Sequence, residues 1–509
     1  MSNFLTALKQ DTNFTYTENG ALTHKTTMSN LLDMFAMGAA MRQRSDEDVI
    51  LMFKKAYDEN PVYALKCLFY IADCRGGQGE RRFFRVCAKW LASYDTEAMR
   101  RNLIHIPLYR RWDDLYTFVG TPLEADAFEI MKNQLALDVS CKTPSLLAKW
   151  LKSENTSSSK SRALGDITRR YFGMTHKQYR KTLSILRERI NVLERLMSAG
   201  EWDKIEFDKI PSRAGLIYKN AFARHDLERI KADPAAVTYE QFAKDTTTTV
   251  NAKALYPYEV VYKATEVMGC NGYSWYRRPA VNIDNVDRLM VNKYWDNLAQ
   301  YFADAPLNAL AVVDTSGSMT WGNSGAALPI NVAISLGMYC AEKARGPFHG
   351  NYISFSSRPQ LIEIEGVDFC DKVARIYDTN LCESTNIEAT FDLILNTALN
   401  HNMKQEDLPE QLIVISDMEF NAARGYNCDP TKTLMENIER KWNAHGYKIP
   451  DLVFWNVNAR QNNIAMTAKD GVMFVSGMSP SIFQQVMENK NAFDLMMDVL
   501  NGARYAPIQ

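Results

Sequence analysis

Beyond about Leu307 the chain alternates two kinds of segment, and this alternation limits the fold more than any other feature. The runs "NALAVVD", "HGNYISFSS", "QLIVISDM", "DLVFWNVN" and "GVMFVSG" are apolar and of strand length. Helical stretches such as "ALPINVAISLGMYCAEKA", "DFCDKVARIYD", "NIEATFDLILNTALN", "TKTLMENIERKWNAH" and "PSIFQQVMEN" stand between or after them. Continuously apolar strands are buried on both faces, and a helix between strands makes each connection a crossover. The pattern therefore predicts a mostly parallel sheet covered by helices. In such sheets the functional loops lie beyond the carboxyl ends of the strands.

Polar chemistry gathers at those loops. The first run ends in "DTSGSM", so Asp314, Ser316 and Ser318 place a carboxylate and two hydroxyls just after a strand. Thr385 in "CESTNIEA" precedes a helix, and Asp417 ends "QLIVISDM". All five side chains offer oxygen, the donor that hard divalent cations such as Mg²⁺ or Mn²⁺ prefer. Helix capping by Asp314 and Ser316 alone explains the first piece but not the other two. "TSGSM" is not G-x-S-x-G, and no histidine stands near a strand end as a base, which argues against a serine hydrolase. One cation ringed by hydroxyls also differs from the carboxylate-rich two-metal sites of phosphoryl transfer.

The set "DTSGS", Thr385 and Asp417 resembles the metal-ion-dependent adhesion site of von Willebrand factor A domains. The resemblance implies Ser316 and Ser318 as direct ligands and Thr385 as a direct or water-mediated one, with Asp314 and Asp417 acting mostly through water. It also implies a docking position for an acidic residue from a protein partner. Met418 and Glu419 stand where many such domains continue with Gly. Glu419 is thus either an extra ligand or an occupant of the partner's position.

Upstream, from about residue 27 to about 300, the period is helical. In "ERRFFRVCAKWLASY" the residues Phe83, Val86, Cys87, Trp90 and Leu91 fall on one helix face. Similar segments ("DEDVILMFKKAYDEN", "LEADAFEIMKNQLAL", "KQYRKTLSILRERINVLERLM", "PYEVVYKATEVM") are separated by short breakers, including Pro61, Gly76-Gly77, Pro122 and Pro211. Short links between helices of this length predict stacked antiparallel pairs, a solenoid-like array. Ahead of it, the Asn-Gly step in "FTYTENGALTHKTT" predicts a hairpin. The expected fold class is α + α/β: an extension over 1–26, a helical repeat domain over 27–300 and a Rossmann-like parallel-sheet domain over 301–509. At 509 residues and 46% hydrophobic content, two or more cores are expected.

A net charge of −1 conceals an asymmetry. Residues 141–200 hold 13 Lys/Arg against 4 Asp/Glu, whereas 301–509 hold 15 against 24. The basic stretch contains Lys149, Lys152, Lys160, Arg162, Arg169, Arg170, Lys177, Arg180, Lys181, Arg187 and Arg189 over successive helices. Such a surface attracts phosphates through counterion release. Tyr171, Phe172 and Tyr179 are interleaved with it, either as core residues or as platforms for unpaired bases. In "DCRGGQGERR" the glycines Gly76, Gly77 and Gly79 have no strand before them and no Lys-Ser/Thr after. They read as a helix-to-helix turn with Glu80 starting the next helix, rather than as a phosphate loop. Arg110, Arg111, Trp112 and Asp113 read as a packing and ion-pair cluster, and Arg224, His225 and Asp226 as a helix start.

The segments "ENGALTHKTTMSNLLDMF", "FYIADCRGGQGERRFFR", "NLIHIPLYRRWDDLY" and "KIPSRAGLIYKNAFARHDLERI" resemble the TROVE-type module of the Ro ribonucleoprotein autoantigens. They are closer still to a related family of plants, viruses and bacteriophages. The resemblance implies a ring of HEAT-like helical repeats closed by a von Willebrand A domain. It further implies a non-catalytic scaffold whose basic outer surface binds small structured RNA and whose central hole takes single-stranded ends of misfolded RNA. The alternative class is a protein-interaction module, chaperone-associated or part of a virion, whose cation captures an acidic residue and which has no RNA role.

Nine scattered cysteines without a CxxC pair predict reduced thiols rather than a disulfide framework or a zinc site. No window approaches the roughly 18 apolar residues that span a membrane, and the N-terminus lacks a signal-peptide pattern, so the expected compartment is the cytoplasm.

Overall fold

The computed structural model describes residues 13–270, 281–302, 307–321, 325–355, 358–378, 384–422, 428–488 and 491–509. Cys382 lies outside them, and the other eight cysteines are free thiols.

The alternating half folds as its pattern predicts. Strands β3 (Ala309–Asp314), β4 (Asn351–Phe355), β5 (Gln360–Glu363), β6 (Gln411–Ser416), β7 (Asp451–Asn456) and β8 (Val472–Ser476) form one sheet in the order β5-β4-β3-β6-β7-β8. Every neighbouring pair is parallel except β4 and β5. All six residues of β3 are buried, as a strand covered on both faces must be. The helix Pro329–Lys343 lies against β3 and is buried from Pro329 to Ala341. It approaches so closely that a Cβ at Gly337 would stand 2.3 Å from Val313 Cγ2. β5 was not expected: "QLIE" is a short, mostly exposed edge strand with no apolar run to announce it.

The chain runs outward from β3 to β4 and β5, then returns to place β6 on the other side of β3. The loops after β3 and β6 therefore part at a switch point. Asp314 and Asp417 lie there, where a parallel sheet opens a crevice.

The first half is helical throughout, with helices including Asp46–Glu59, Pro61–Ala72, Arg81–Tyr94, Glu124–Ser140, Ser159–Tyr171, His176–Arg189, Ser212–Arg224 and Pro257–Met268. Local chemistry sets their starts. Ser45 accepts from the Asp48 N–H, Pro61 follows the cap Asn60, and Thr175 with Gln178 forms a capping box. The long segment expected after His176 breaks at Asn191, which takes φ 47°, and resumes as Leu193–Ala199. The hairpin forms between β1 (Phe14–Tyr16) and β2 (Leu22–His24), with Gly20 at φ 84° in its turn.

The halves do not keep separate cores: one connected apolar cluster runs from Ala21 to Ile508. The helix Asn30–Met37 packs on β8, where the Ser476 hydroxyl donates to the Phe35 carbonyl at 3.1 Å. The glycine-rich loop after Ala72 is the second joint. It is a helix-to-helix turn, and Glu80 caps the following helix by accepting from the Arg82 N–H. Arg504 pairs with Asp73, Ser481 donates to the Gly77 carbonyl at 3.1 Å, and the Ser479 N–H donates to Gln78. Gly79 (φ 65°) sits where a Cβ would stand 1.9 Å from the Tyr256 hydroxyl. Gly79→Ala is expected to push the helix Pro257–Met268 off this loop and to lower the thermal midpoint by several degrees, read by differential scanning calorimetry.

Candidate functional site

Four of the five residues expected to hold a cation come together at the switch point. The Ser316 N–H donates to Asp314 Oδ1 at 2.9 Å, and Ser416 Oγ donates to Asp314 Oδ2 at 2.5 Å. The Ser316 and Ser318 hydroxyls lie 2.9 Å apart, and Ser318 reaches the Asp417 carboxylate. Ser416 was missed by the sequence reading because its hydroxyl is indistinguishable from a strand residue's. Thr385 joins the same edge through other bonds: its carbonyl accepts from the Asn421 N–H at 2.9 Å, and its hydroxyl faces, at 3.5 Å, the Asn19 amide that also donates to the Glu419 carbonyl.

This edge concentrates buried negative charge. Asp314, Asp417 and Glu419 are all buried. Burial, and then the Asp417 charge, raises the Asp314 carboxyl above its ordinary value. Burial also raises Asp417, against the pull of Arg460, whose Nη2 lies 3.0 Å from Asp417 Oδ2. Glu419 is pushed up to about 7, chiefly by burial, although it accepts from the Glu18 N–H at 2.7 Å and from Asn463 at 3.0 Å. Met418, at φ 66°, turns the chain so that Asp417 and Glu419 both face inward. Three buried carboxylates beside one guanidinium, with two adjacent hydroxyls, match the hard-oxygen donor set of a divalent cation.

A carboxyl raised on folding loses stability as it ionises. Glu419 is therefore expected to withdraw stability between its ordinary 4.5 and about 7. In chelator, Glu419→Gln should gain stability relative to the parent from pH 5 to pH 8, measured by urea unfolding at each pH. A constant difference across that range would refute it.

The hairpin lies over the same edge. Thr17 donates to the Phe420 carbonyl at 2.6 Å, Asn19 donates to the Glu419 carbonyl, and Gly20 bridges to Asn421. Glu18 Oε2 lies 2.7 Å from Arg460 Nη1, so one guanidinium joins Glu18 to Asp417. Thr23 and His24 bind the backbone of Ile464 on the adjoining loop.

The basic stretch does not form one outer surface. A cavity of about 1000 Å³ is lined by Arg75, Arg81, Arg110, Arg111, Lys149, Arg180, Arg187, Arg195 and Arg213, with only Glu154 and Glu194 of opposite sign in its wall. Its lining comes from segments between 74 and 256, so distant turns of the helical half face a single space. A second cavity, of about 960 Å³, takes Lys152 and Lys160 together with Arg81, Arg85, Lys89 and Arg111. Of the expected RNA ligands, Lys149, Arg180 and Arg187 thus face the first cavity, and Lys177 and Lys181 remain on an exposed helix face.

Others already have partners within the protein. Arg169 is held by Glu154 at 2.8 Å and Asp166 at 2.6 Å, Arg170 pairs with Asp166, and Arg162 binds the carbonyls of Thr156 and Ser157. Arg187, although at the cavity wall, spends its guanidinium on Ala148, Leu151 and Ser153, and Arg189 binds the Val139 carbonyl. Phe172 and Tyr179 are core residues, and Tyr171 stacks on Phe128 at 4.3 Å, so none is a free platform for a base. Trp150, which was not singled out, lines the cavity with the Arg111 guanidinium 4.0 Å from its ring. Glu154, Asp166 and His176 cluster closely enough to suggest a metal, but the Arg169 cation already sits among the carboxylates.

Asp113 pairs with Arg111 at 2.9 Å as the ion-pair reading expects, and behind the cavity Asp114 is a second pivot. It is buried and receives Arg85 at 2.6 Å, Arg110 at 3.1 Å and Arg81 at 3.2 Å. Burial alone would raise its carboxyl, but Arg110, Arg81 and Arg85 outweigh that and hold it below the usual range. One nitrogen of Arg110, Nη2, is buried without a hydrogen-bond partner. His225 stacks on Trp202 at 4.0 Å, a structural placement.

A helical half enclosing an arginine-lined cavity, joined through a shared core to a parallel sheet with an oxygen-rich switch point, defines a two-module helical and α/β protein. The chain belongs to the family described as a domain of unknown function, DUF2828, whose model matches residues 17–111 and 137–305. Residues 308–502 match a second such domain, DUF7788. An uncharacterized protein of Acanthamoeba polyphaga mimivirus is 30% identical, over 97% of this chain and 89% of the viral one. No helix among the described residues is long and apolar enough to cross a membrane.

Proposed function

We propose that this protein is a non-catalytic RNA-binding scaffold. In this reading the helical half is a HEAT-like ring of the TROVE type, and the α/β half is a von Willebrand A domain that braces the ring and carries a Mg²⁺ or Mn²⁺ site. The observation that carries it is the cavity lined by nine cationic side chains, of which Arg75, Lys149 and Arg180 are paired with no carboxylate among the described residues, while Arg81, Arg110, Arg111, Arg195 and Arg213 already share acidic partners. A polyanion is the ligand that the uncompensated Arg75, Lys149 and Arg180 favour, and a volume near 1000 Å³ suits a few unpaired nucleotides rather than a duplex.

At the sheet edge Ser316 and Ser318 would hold the cation, with Asp314, Asp417 and Thr385 around it. When bound, the cation would neutralise the buried carboxylates and fix the loops after β3 and β6. Protein purified in about 50 mM salt should retain RNA that about 500 mM salt releases. A nucleic-acid-free preparation with no salt-sensitive RNA affinity would sink the reading. Ser316→Ala with Ser318→Ala should abolish Mn²⁺ binding, read by electron paramagnetic resonance, while circular dichroism stays unchanged. Undiminished Mn²⁺ affinity in that double variant would reject the site.

A further inference from the structure

The sheet edge expected to receive a partner already has something seated on it. The β1–β2 turn reaches the loop after β6 through bonds that span about 400 residues of sequence: Thr17 to the Phe420 carbonyl, the Glu18 N–H to Glu419, and Asn19 to Thr385 and the Glu419 carbonyl. Thr17, Ala21, Thr23 and His24 are buried, so the hairpin is an integral part of this surface. Glu18 is the one carboxylate the turn brings, and Arg460 ties it to Asp417.

We propose that the hairpin is the in-chain ligand of the cation edge, with Glu18 supplying the acidic group that an adhesion-type site would otherwise take from a separate protein. This rests on the cation reading of Asp314, Ser316, Ser318 and Asp417. Among the described residues the edge carries Asp314, Asp417 and Glu419 beside one arginine, and Glu18 adds a fourth carboxylate. Glu18 is exposed and Arg460 already pairs with it, so a bound cation acts by relieving the repulsion among these four carboxylates, which favours the seated hairpin. Cation binding and hairpin seating therefore reinforce each other, and by linkage each strengthens the other by the same factor. The site then works as an internal clasp that fixes the hairpin to the sheet, and an outside acidic residue gains access only when the hairpin lifts.

The test uses the full chain and its Glu18→Gln variant, with Mn²⁺ as the probe. Hydrogen exchange reads the hairpin, because the Glu18 and His24 amides bond across to Glu419 and Ile464 and exchange when the turn lifts. Mn²⁺ is expected to slow exchange of residues 14–24 about tenfold in the parent, and Glu18→Gln to weaken Mn²⁺ binding by about the same factor. If the parent binds Mn²⁺ but hairpin exchange is unmoved and Glu18→Gln binds equally well, the clasp is overturned while the cation site stands. If the parent binds no Mn²⁺, the cation site and the clasp fall together. Unchanged circular dichroism in Glu18→Gln, an exposed turn residue, separates either result from misfolding.

Discussion

Asp114→Ala should remove about 3–5 kcal/mol of folding stability, the scale for breaking a buried ion pair from one side. Three arginines, Arg81, Arg85 and Arg110, would be left against one another without their shared carboxylate. Asp114→Asn keeps the shape and should lose less. Because its folded carboxyl is held below the usual range, Asp114 contributes stability above its unfolded value and loses it as pH falls through the folded one. The acid limb of the stability profile should therefore be shallower in Asp114→Asn than in the parent. Urea unfolding between pH 3 and pH 7 checks both; a loss under about 1 kcal/mol in Asp114→Ala would show that the arginines find other partners.

Reversing Lys149 and Arg180 to glutamate should weaken single-stranded RNA binding about 100-fold or more and flatten the salt dependence by about 1.4 in log–log slope. These two are the informative choices because both face the large cavity, and neither is paired with a carboxylate among the described residues. Reversal therefore changes the ligand surface without breaking a structural bond. Lys177 and Lys181, on the exposed face of the helix His176–Arg189, make the matched control. Fluorescence anisotropy with a labelled oligonucleotide across a salt series reads all four. A larger loss from the Lys177 and Lys181 pair would move the RNA to the outer surface.

The sheet was readable because its strands are apolar runs that only a two-sided burial explains. The switch-point chemistry was readable because Asp314, Ser316, Ser318 and Asp417 each sit at a strand's end. Other features lacked any local signature. Ser416 reaches Asp314 only through the β3–β6 register, and Glu18 reaches Arg460 only after the chain has folded back on itself. The cavity was hidden for a related reason. Arg75, Arg111, Arg180 and Arg213 are separated by long stretches of helix, and nothing short of the curvature of the helical half brings them to one space. The dense basic run 141–200 is the more visible in sequence, yet Arg162, Arg169, Arg187 and Arg189 tie their helices to neighbouring segments through Thr156, Glu154, Ala148 and Val139. Charge density in a sequence marks where cations are, but pairing decides which are available.

The seating of the hairpin has a consequence for synthesis. Residues 14–24 are made about 400 residues before their docking surface, which includes Phe420, Asn421 and Ile464. At about 5–20 residues per second the hairpin waits on the order of 20–80 s for that surface to be made. A two-stranded ribbon alone in water is barely stable. Over that interval the hairpin segment is therefore an unfolded tether open to proteases and chaperones, and its disappearance from their reach reports that the distal module has been completed and folded.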